Sequence, residues 1–304
     1  MDKCVAIVIL NWNGWKDTIE CLDSLKGIDY SNYKVVIVDN KSTDGSVDKI
    51  NEYITNSPNI KLIKLDINYG YAKGNNIGIK YAIEQYNPEY VLILNNDTTV
   101  TPDFLRPLAR LLEGNPKAGL AGPKIVDYYS KVHWQGFAPE RLNIFTILMF
   151  FTPLYRIFIK SPLINKYLVS GTSPIKVYGI PGCCLLFKTK SIQQIDLFDE
   201  NTFLGSEEYI IAEKLLKVGY ETYVVPQSIV YHKVAQSAEK LEPVEKTIAF
   251  LKSERYFHKH YLKLPNYQRV IIVLVRIFIY GIISILNKSY RKGLLKLIKA
   301  MIMD

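Results

Sequence analysis

Two groups of acidic and amide side chains in this 304-residue chain stand where they could do chemistry. The first is Asn95-Asn96-Asp97, which closes the apolar run 90–94. A carboxylate at the end of a buried strand is offered to whatever lies beyond that end. Mg²⁺ and Mn²⁺ take hard oxygen ligands and often draw several of them from a substrate's phosphates, so one Asp can suffice. The same Asp97 could instead cap the segment leading to Thr101-Pro102, since Pro can open a helix. The second group is Ser206-Glu207-Glu208, ahead of Ile211, Leu215 and Leu216 at helical spacing. Carboxylates in a first helical turn are favoured by the helix dipole whatever their role. Where that turn enters a cleft, one of them can serve as a general base. His232 ends the run 229–232; taken alone it reads as a surface imidazole, and beside a carboxylate as a metal ligand.

Such residues need a frame to hold them. Residues 5–10 are continuously apolar, as expected of a parallel strand covered on both faces. Trp15–Lys26 follows with Ile19, Leu22 and Leu25 at helical spacing, then the β-branched run 35–38, closed by Asp39-Asn40. Ser42-Thr43-Asp44-Gly45 is turn and cap chemistry leading to a helix through Val47 and Ile50. A third strand is expected at 60–65, a Gly/Asn-rich loop at 68–75, a helix at 77–86 and a fourth strand at 90–94. Alternating strands and helices make an α/β fold with a mostly parallel sheet flanked by helices, whose ligands lie beyond the carboxyl ends of the strands. Those ends carry Asn11 and Asn13, then Asp39 and Asn40, then Asp66 and Asn68, then Asn95 to Asp97. One such residue is a turn residue; four in succession on one rim argue for a site. Gly70, Gly74 and Gly78 do not make G-x-G-x-x-G, and no G-x-x-x-x-G-K-[ST] occurs, which sets aside dinucleotide oxidoreductases and P-loop enzymes.

The formal net charge is +9, and its location matters more than its size. From Arg255 to Asp304 ten residues are Lys or Arg and the single acid is Asp304, so residues 1–254 balance to zero. A neutral body with a basic tail is not a nucleic-acid binder. Within the tail, residues 270–286 are apolar except for Arg276, which opposes a membrane span because a central Arg costs at least ~2.5 kcal/mol to insert. Leu294, Leu295, Leu297, Ile298, Met301 and Ile302 form one helical face, with Arg291, Lys292, Lys296 and Lys299 largely outside it. The expectation is an in-plane helix on an anionic membrane surface, with packing onto a partner or the body as the alternative. The apolar segment 144–159 is expected to touch lipid, a lipid-linked acceptor, the core or another subunit. The short run at 5–10 has neither the basic flank nor the cleavage site of a signal peptide, so the body is expected in the cytoplasm, peripheral on the inner membrane face. Cys4, Cys21, Cys183 and Cys184 form no disulfide framework or zinc pattern and read as reduced core thiols.

Taken in order, the stretches VAIVILNWNG (5–14), VDNKSTDGS (38–46), NYGYAKGNN (68–76) and NND (95–97) resemble family 2 glycosyltransferases. FDE (198–200), Glu207-Glu208, Gly219-Tyr220, Pro226 and Tyr231-His232 continue the pattern. The resemblance spans about residues 4–233 and is strongest to bacterial rhamnosyltransferase-like members. It implies a GT-A fold and inverting transfer of a sugar from a nucleotide-diphosphate sugar, dTDP-rhamnose or a UDP-sugar, to a hydroxyl of a glycan or lipid-linked acceptor. By position it implies that Asp39 binds the pyrimidine, that Asn11, Asn13, Asn40 and Ser42 line the nucleotide pocket, and that the loop with Asn68, Gly70, Gly74 and Asn75 covers ribose and phosphates. Asn95 and Asn96 precede Asp97, which matches the last acid of the family's D-x-D and holds Mg²⁺ or Mn²⁺. Glu208 matches the catalytic base, and His232 a metal ligand of some members.

Two positions depart from the pattern. Asn95 stands where D-x-D has its first acid, and Tyr209-Ile210 follow Glu207-Glu208 where many members carry a further Asp, so the two glutamates could exchange roles. The expected organisation is a GT-A domain at 1–254, with a nucleotide-binding half at about 1–125 and an acceptor half at about 126–254, followed by basic membrane-associating helices at 255–304. The segment Gly179 to Cys184 falls on the acceptor side. A non-catalytic nucleotide-sugar- or lipid-binding scaffold is the alternative. A nucleotidyltransferase is disfavoured by the lack of a Gly-rich loop with Arg and Lys.

Overall fold

The computed structural model describes residues 2–129, 133–134, 138, 140–150, 171–233 and 242–302, without the side chains of 133–134 and 149–150. Four parallel strands form one half of the sheet: β1 (Val5–Asn11), β2 (Tyr33–Asp39), β3 (Ile60–Lys64) and β4 (Tyr90–Asn95). The β-branched runs read in the sequence fill them. Val5, Ile7 and Ile9 face one core and Ala6 and Val8 the other, the two-faced burial that an uninterrupted apolar run requires. The sheet order is β3-β2-β1-β4-β9-β6-β10-β5, with β5 (Thr98–Val100), β6 (Ala118–Asp127), β9 (Cys184–Lys188) and β10 (Glu221–His232). β7 (His133–Trp134) pairs with β6, and β8 (Ile175–Val177) with β10.

Strand direction explains why the polar ends converge. β9 is antiparallel to both β4 and β6, and β6 and β10 are parallel to each other. Hence β1, β2, β4 and β10 all end on one rim, and β9 begins there. Register does the rest: Asn11 stands beside Asp39, Leu10 beside Asn95, and His232 beside Thr98, the residue after Asp97.

Helices cover both faces. α1 (Trp15–Lys26), α2 (Ser46–Ile54) and α4 (Leu105–Gly114) pack on one; α3 (Gly70–Tyr86), α6 (Thr189–Gln194) and α7 (Glu207–Lys217) on the other. Two local expectations are corrected. The stretch 68–75 is a loop only as far as Tyr69, and α3 begins at Gly70. Its glycines serve close packing: a Cβ at Gly74 would meet Leu10 Cδ1 at 2.6 Å, and one at Gly78 would meet Val8 Cγ1 at 2.5 Å. Residues that advertise a loop are here what lets a helix lie flat on β1. After Asp97 the chain continues as the short strand β5, paired with β10, and α4 begins at Leu105, so Asp97 caps no helix at Pro102.

The C-terminal region is a three-helix unit. α8 (Pro243–His260) runs unbroken past residue 254, and is followed by α9 (Asn266–Leu286) and α10 (Lys288–Ile302); α5 (Ile144–Phe150) lies against this region. The remainder of the apolar segment 144–159 falls outside the described residues. Arg276 does not face outward. It is 3 % exposed and its guanidinium lies 2.7 Å from the Glu254 carboxylate of α8. The single apolar face expected of α10 is divided: Leu297 and Met301 are buried with Val244 and Leu251 of α8, whereas Leu295 and Ile302 are exposed. The broad exposed apolar surface belongs to α9, where Leu274 is 60 %, Phe278 70 % and Ile285 69 % exposed.

Candidate active site

Four strand ends and one helix start build the site. At the β1–β2 end Asn11 and Asp39 are fully buried. Asn11 Nδ2 donates to Asp39 Oδ2 at 2.7 Å and to Ser42 Oγ at 3.1 Å, and the Ser42 backbone N–H donates to Asp39 Oδ1 at 2.9 Å. The Asn13 backbone N–H donates to Ser42 Oγ at 2.8 Å, and Asn13 Oδ1 accepts from Thr43 N–H at 2.7 Å. Asn13 adopts a left-handed backbone, φ 51°, which Asn tolerates better than most residues. Thr18 and Asn96 complete this network through Asn11 Oδ1, at 2.8 Å and 3.3 Å. Each Asp39 oxygen accepts one bond, and a carboxylate has about four acceptor positions in all, so capacity remains for a donor from a ligand.

Beside it, Asn40 joins β2 to the start of α3. Its Nδ2 donates to Asn68 Oδ1 at 2.9 Å and Gly70 O at 3.1 Å, and its Oδ1 accepts from Tyr69 N–H at 2.9 Å. Gly70 has φ +79°, and a Cβ there would meet the Phe203 carbonyl oxygen at 2.8 Å, so glycine is required at this crossing. Gly74 and Asn75 face the sheet, with Asn75 Nδ2 bonded to Tyr71 O at 3.0 Å. Both lie near the start of α3, whose first turn approaches the rim.

On the other side of β1, Asp97 and His232 are buried and adjacent, His232 Nε2 lying 3.1 Å from Asp97 Oδ1. One hard oxygen donor and one imidazole nitrogen on a strand-end rim are a donor pair that suits Mn²⁺ or Mg²⁺ with substrate oxygens completing the shell. No cluster of three or more His, Cys, Asp or Glu that could hold a metal occurs among the described residues. Asn95 is the last residue of β4, its backbone N–H bonded to Cys183 O at 2.9 Å.

The glutamates open α7. Ser206 precedes them in a left-handed conformation, φ 68°, after Gly205 at φ +91°; such backbone in consecutive residues is held by its surroundings and fixes how the helix enters. Glu207 is buried, and its Oε1 has no hydrogen-bond partner among the described residues. Glu208 keeps part of its surface open. Both carboxyls are pushed above the usual carboxylate range, Glu207 further than Glu208. Burial is the main cause; the charge of Glu208 adds to the rise at Glu207, and that of Glu254 to the rise at Glu208.

A model of the family described as glycosyl transferase family 2 matches residues 6–195. The chain belongs to that family. It is a nucleotide-sugar-dependent glycosyltransferase with a GT-A-like fold. Among curated relatives, the N-acetylglucosaminyl-diphospho-decaprenol L-rhamnosyltransferase of Mycobacterium tuberculosis is 26% identical over 73% of each chain. The dTDP-rhamnosyl transferase RfbF of Shigella flexneri is 23% identical over 79% of this chain and 73% of its own length. Among solved structures, the mannosyltransferase PcManGT of Pyrobaculum calidifontis in complex with GDP-Man and Mn²⁺ superposes with a TM-score of 0.58 at 16% identity, covering 99% of this chain and 86% of that one.

Close to the candidate site of this glycosyltransferase stand Tyr71 and Lys233, which sequence reasoning did not single out, and Cys183, which it read as a core thiol in the acceptor-side segment. Tyr71 is half-buried, donates to Gly182 O at 2.6 Å, and feels the charges of both Glu207 and Glu208. The Cys183 thiol, at the start of β9, is raised first by burial and then by neighbours that include Asp97 and Glu208. The segment expected on the acceptor side is bonded to the rim at Asn95, whose N–H donates to Cys183 O at 2.9 Å, and to α3 through Tyr71. Lys233, next to His232, is clamped by Asp17 at 2.7 Å and Glu20 at 2.6 Å, which fixes the end of β10 against α1. The consecutive Gly-Cys-Cys and Tyr-Gly-Tyr were the available signals; neither specifies proximity to an acid.

Proposed function

We propose that this enzyme is an inverting glycosyltransferase that takes its sugar from dTDP-rhamnose or a UDP-sugar and delivers it to a hydroxyl of a lipid-linked glycan at an anionic membrane face. The observation that carries the reading is the buried Asp97–His232 pair on the strand-end rim, 3.1 Å apart, in a chain whose helix α7 opens with Glu207 and Glu208, both of raised proton affinity. In the proposed reaction the acceptor oxygen forms a bond to the anomeric carbon as the bond from that carbon to the diphosphate breaks. The hydroxyl proton passes to Glu208, and the nucleoside diphosphate leaves with the bonding electrons. One carboxylate suffices for a single displacement, and a carboxyl group raised toward neutrality is a better base than an ordinary one. Asp39 would accept from the pyrimidine, on the lone pairs its neighbours leave open. Asp97 and His232 would hold Mg²⁺ or Mn²⁺, which when bound supplies positive charge against the departing diphosphate.

A thermal-shift panel of nucleotide sugars tests this. A saturating dTDP- or UDP-sugar should raise the melting temperature by about 5 °C, whereas a purine nucleotide sugar should give little. Asp39→Asn should reduce the shift and lower the ligand-free melting temperature. Whichever way the new amide is turned, its N–H₂ faces one of the two donors, Asn11 Nδ2 or Ser42 N–H, at about 1–3 kcal/mol for a buried group left unsatisfied. A full shift in Asp39→Asn would remove that residue from the nucleotide site.

The membrane reading rests on α9, long and apolar enough to cross a membrane by length and composition. Its Arg276 is tied to Glu254 of α8 while Leu274, Phe278 and Ile285 look outward. A helix packed along one side and apolar along the other suits an in-plane position, with the C-terminal lysines and arginines near the headgroups. On this reading α8–α10 form the membrane-associating unit and the preceding chain the GT-A domain. Wild-type protein should float with phosphatidylglycerol vesicles, and Leu274→Glu/Phe278→Glu should remain with the soluble fraction at an unchanged melting temperature. Flotation of that variant would overturn the assignment.

A further inference from the structure

Lys233 directly follows His232, and its side chain is only 10% exposed. An ammonium so enclosed is costly unless it is paired. Two carboxylates of α1 pair it, Asp17 at 2.7 Å and Glu20 at 2.6 Å. An acid in a first helical turn, such as Asp17, is favoured by the helix dipole whatever its role. Here it does something further. Together with Glu20 it grips a cation at the end of a strand 216 and 213 residues away along the chain. Bonds between charged partners are the strong ones, so this grip is a firm joint between α1 and the end of β10.

The joint reaches the main chain of both metal-type donors. The Lys233 backbone N–H donates to the Asp97 carbonyl oxygen at 3.0 Å. Tyr128, just past β6, repeats the pattern: its N–H donates to His232 O at 2.9 Å and its Oη to Glu20 Oε1 at 2.8 Å. The Lys233 ammonium lies 5.1 Å from the centre of the Tyr128 ring, which closes the cluster. On its other side the same turn of α1 meets the Asn11–Asp39 network. Thr18, next to Asp17, donates to Asn11 Oδ1 at 2.8 Å and accepts from Asn96 Nδ2 at 3.1 Å. Asn96 in turn precedes Asp97. Residues 17–20 therefore hold the segments that carry Asp97 and His232 against the one that carries Asn11.

We infer that Lys233, gripped by Asp17 and Glu20, is a positioning residue for the divalent cation: it fixes the main chain at Asp97 and His232 so that the two donors converge where the nucleotide's diphosphate arrives. The inference rests on the reading of that pair as the metal site. A site with two protein donors leaves most of the cation's shell to substrate oxygens. No third side chain then makes good a donor that has drifted, so the bonds that hold the pair in place carry weight. Lys233 does not touch the cation; it acts through the backbone of the residues that do.

The test is calorimetric titration of the full-length protein with Mn²⁺ at saturating dTDP or UDP, whichever gives the larger melting shift without metal. Lys233→Met should weaken Mn²⁺ binding by about 10–100-fold, the usual effect of losing a group that orients a metal ligand, while the metal-free nucleotide shift stays as in wild type. Lys233→Arg, whose fork can still meet two carboxylates, should recover most of the affinity. Asp17→Asn/Glu20→Gln/Lys233→Met removes all three charges and strands none. It should show the same loss, and it serves where Lys233→Met alone does not fold. Mn²⁺ bound as tightly by the triple variant as by wild type, even at a lowered ligand-free melting temperature, overturns the inference and leaves the cluster a structural staple. So does a Lys233→Arg variant as weak as Lys233→Met. Wild type that binds no Mn²⁺ at saturating nucleotide overturns the metal reading and this inference with it. A missing nucleotide shift in wild type overturns the pyrimidine-nucleotide reading and the site that Lys233 is inferred to position.

Discussion

Glu208→Gln should lower kcat by about 10²–10⁴-fold, the usual contribution of a positioned general base, while the dTDP-induced melting shift stays as in wild type. The substitution keeps the shape of the side chain and removes its capacity to take a proton. Glu208 is the more exposed of the two glutamates, so it is the one an acceptor hydroxyl can reach, whereas Glu207 is enclosed. The pH dependence follows from the direction of the shifts. Both carboxyls titrate above the ordinary 4.5 because burial disfavours their charge, so kcat/KM should fall on acidification with a midpoint displaced from 4.5 toward neutrality. The stability consequence has the opposite sense. A carboxyl whose folded pKa is raised contributes stability that is complete below 4.5 and is lost as pH rises through the folded value. Glu207→Gln, which cannot ionise, should therefore gain melting temperature relative to wild type at alkaline pH. If Glu207→Gln abolishes turnover and Glu208→Gln does not, the roles are exchanged.

The rim was legible because a parallel sheet places consecutive strand ends side by side. Reading Asn11, Asp39 and Asp97 in order along the chain was in effect reading them in space. His232 was less so: it reaches Asp97 only because β10 enters the sheet beyond β6 and turns β5 back against itself, a crossover that no local pattern encodes. Gly74 misled because glycine serves a loop and a close helix–strand contact equally well, and the difference lies in Leu10, far away in sequence. The tail shows the same limit. Its charge was countable and its helices were periodic, yet that Arg276 finds Glu254, leaving α9 with an apolar outer side, depends on how three helices fold back on one another.

Asp97→Asn should lower activity by about 10²–10³-fold, the equivalent of several kcal/mol of lost charge stabilisation, and should do so together with metal dependence. Asp97 and His232 are two donors with no third carboxylate, imidazole or thiol grouped with them among the described residues. Two donors hold a hard divalent cation weakly, so nucleotide and metal should bind interdependently. Mn²⁺ alone should scarcely move the melting temperature of wild type. Mn²⁺ with dTDP should raise it beyond dTDP alone, and Asp97→Asn should lose that increment while keeping the metal-free dTDP shift. His232→Gln should give a smaller loss of the same kind, since it removes one donor and leaves the carboxylate. Asn95→Asp restores an acid at the end of β4, where the family's pattern has one, and should tighten Mn²⁺ binding in the presence of dTDP. Full activity of wild type in excess chelator, with no Mn²⁺ increment in the melt, would take the metal away from this pair and leave Asp97 and His232 as a buried hydrogen bond that pins β10 to the rim.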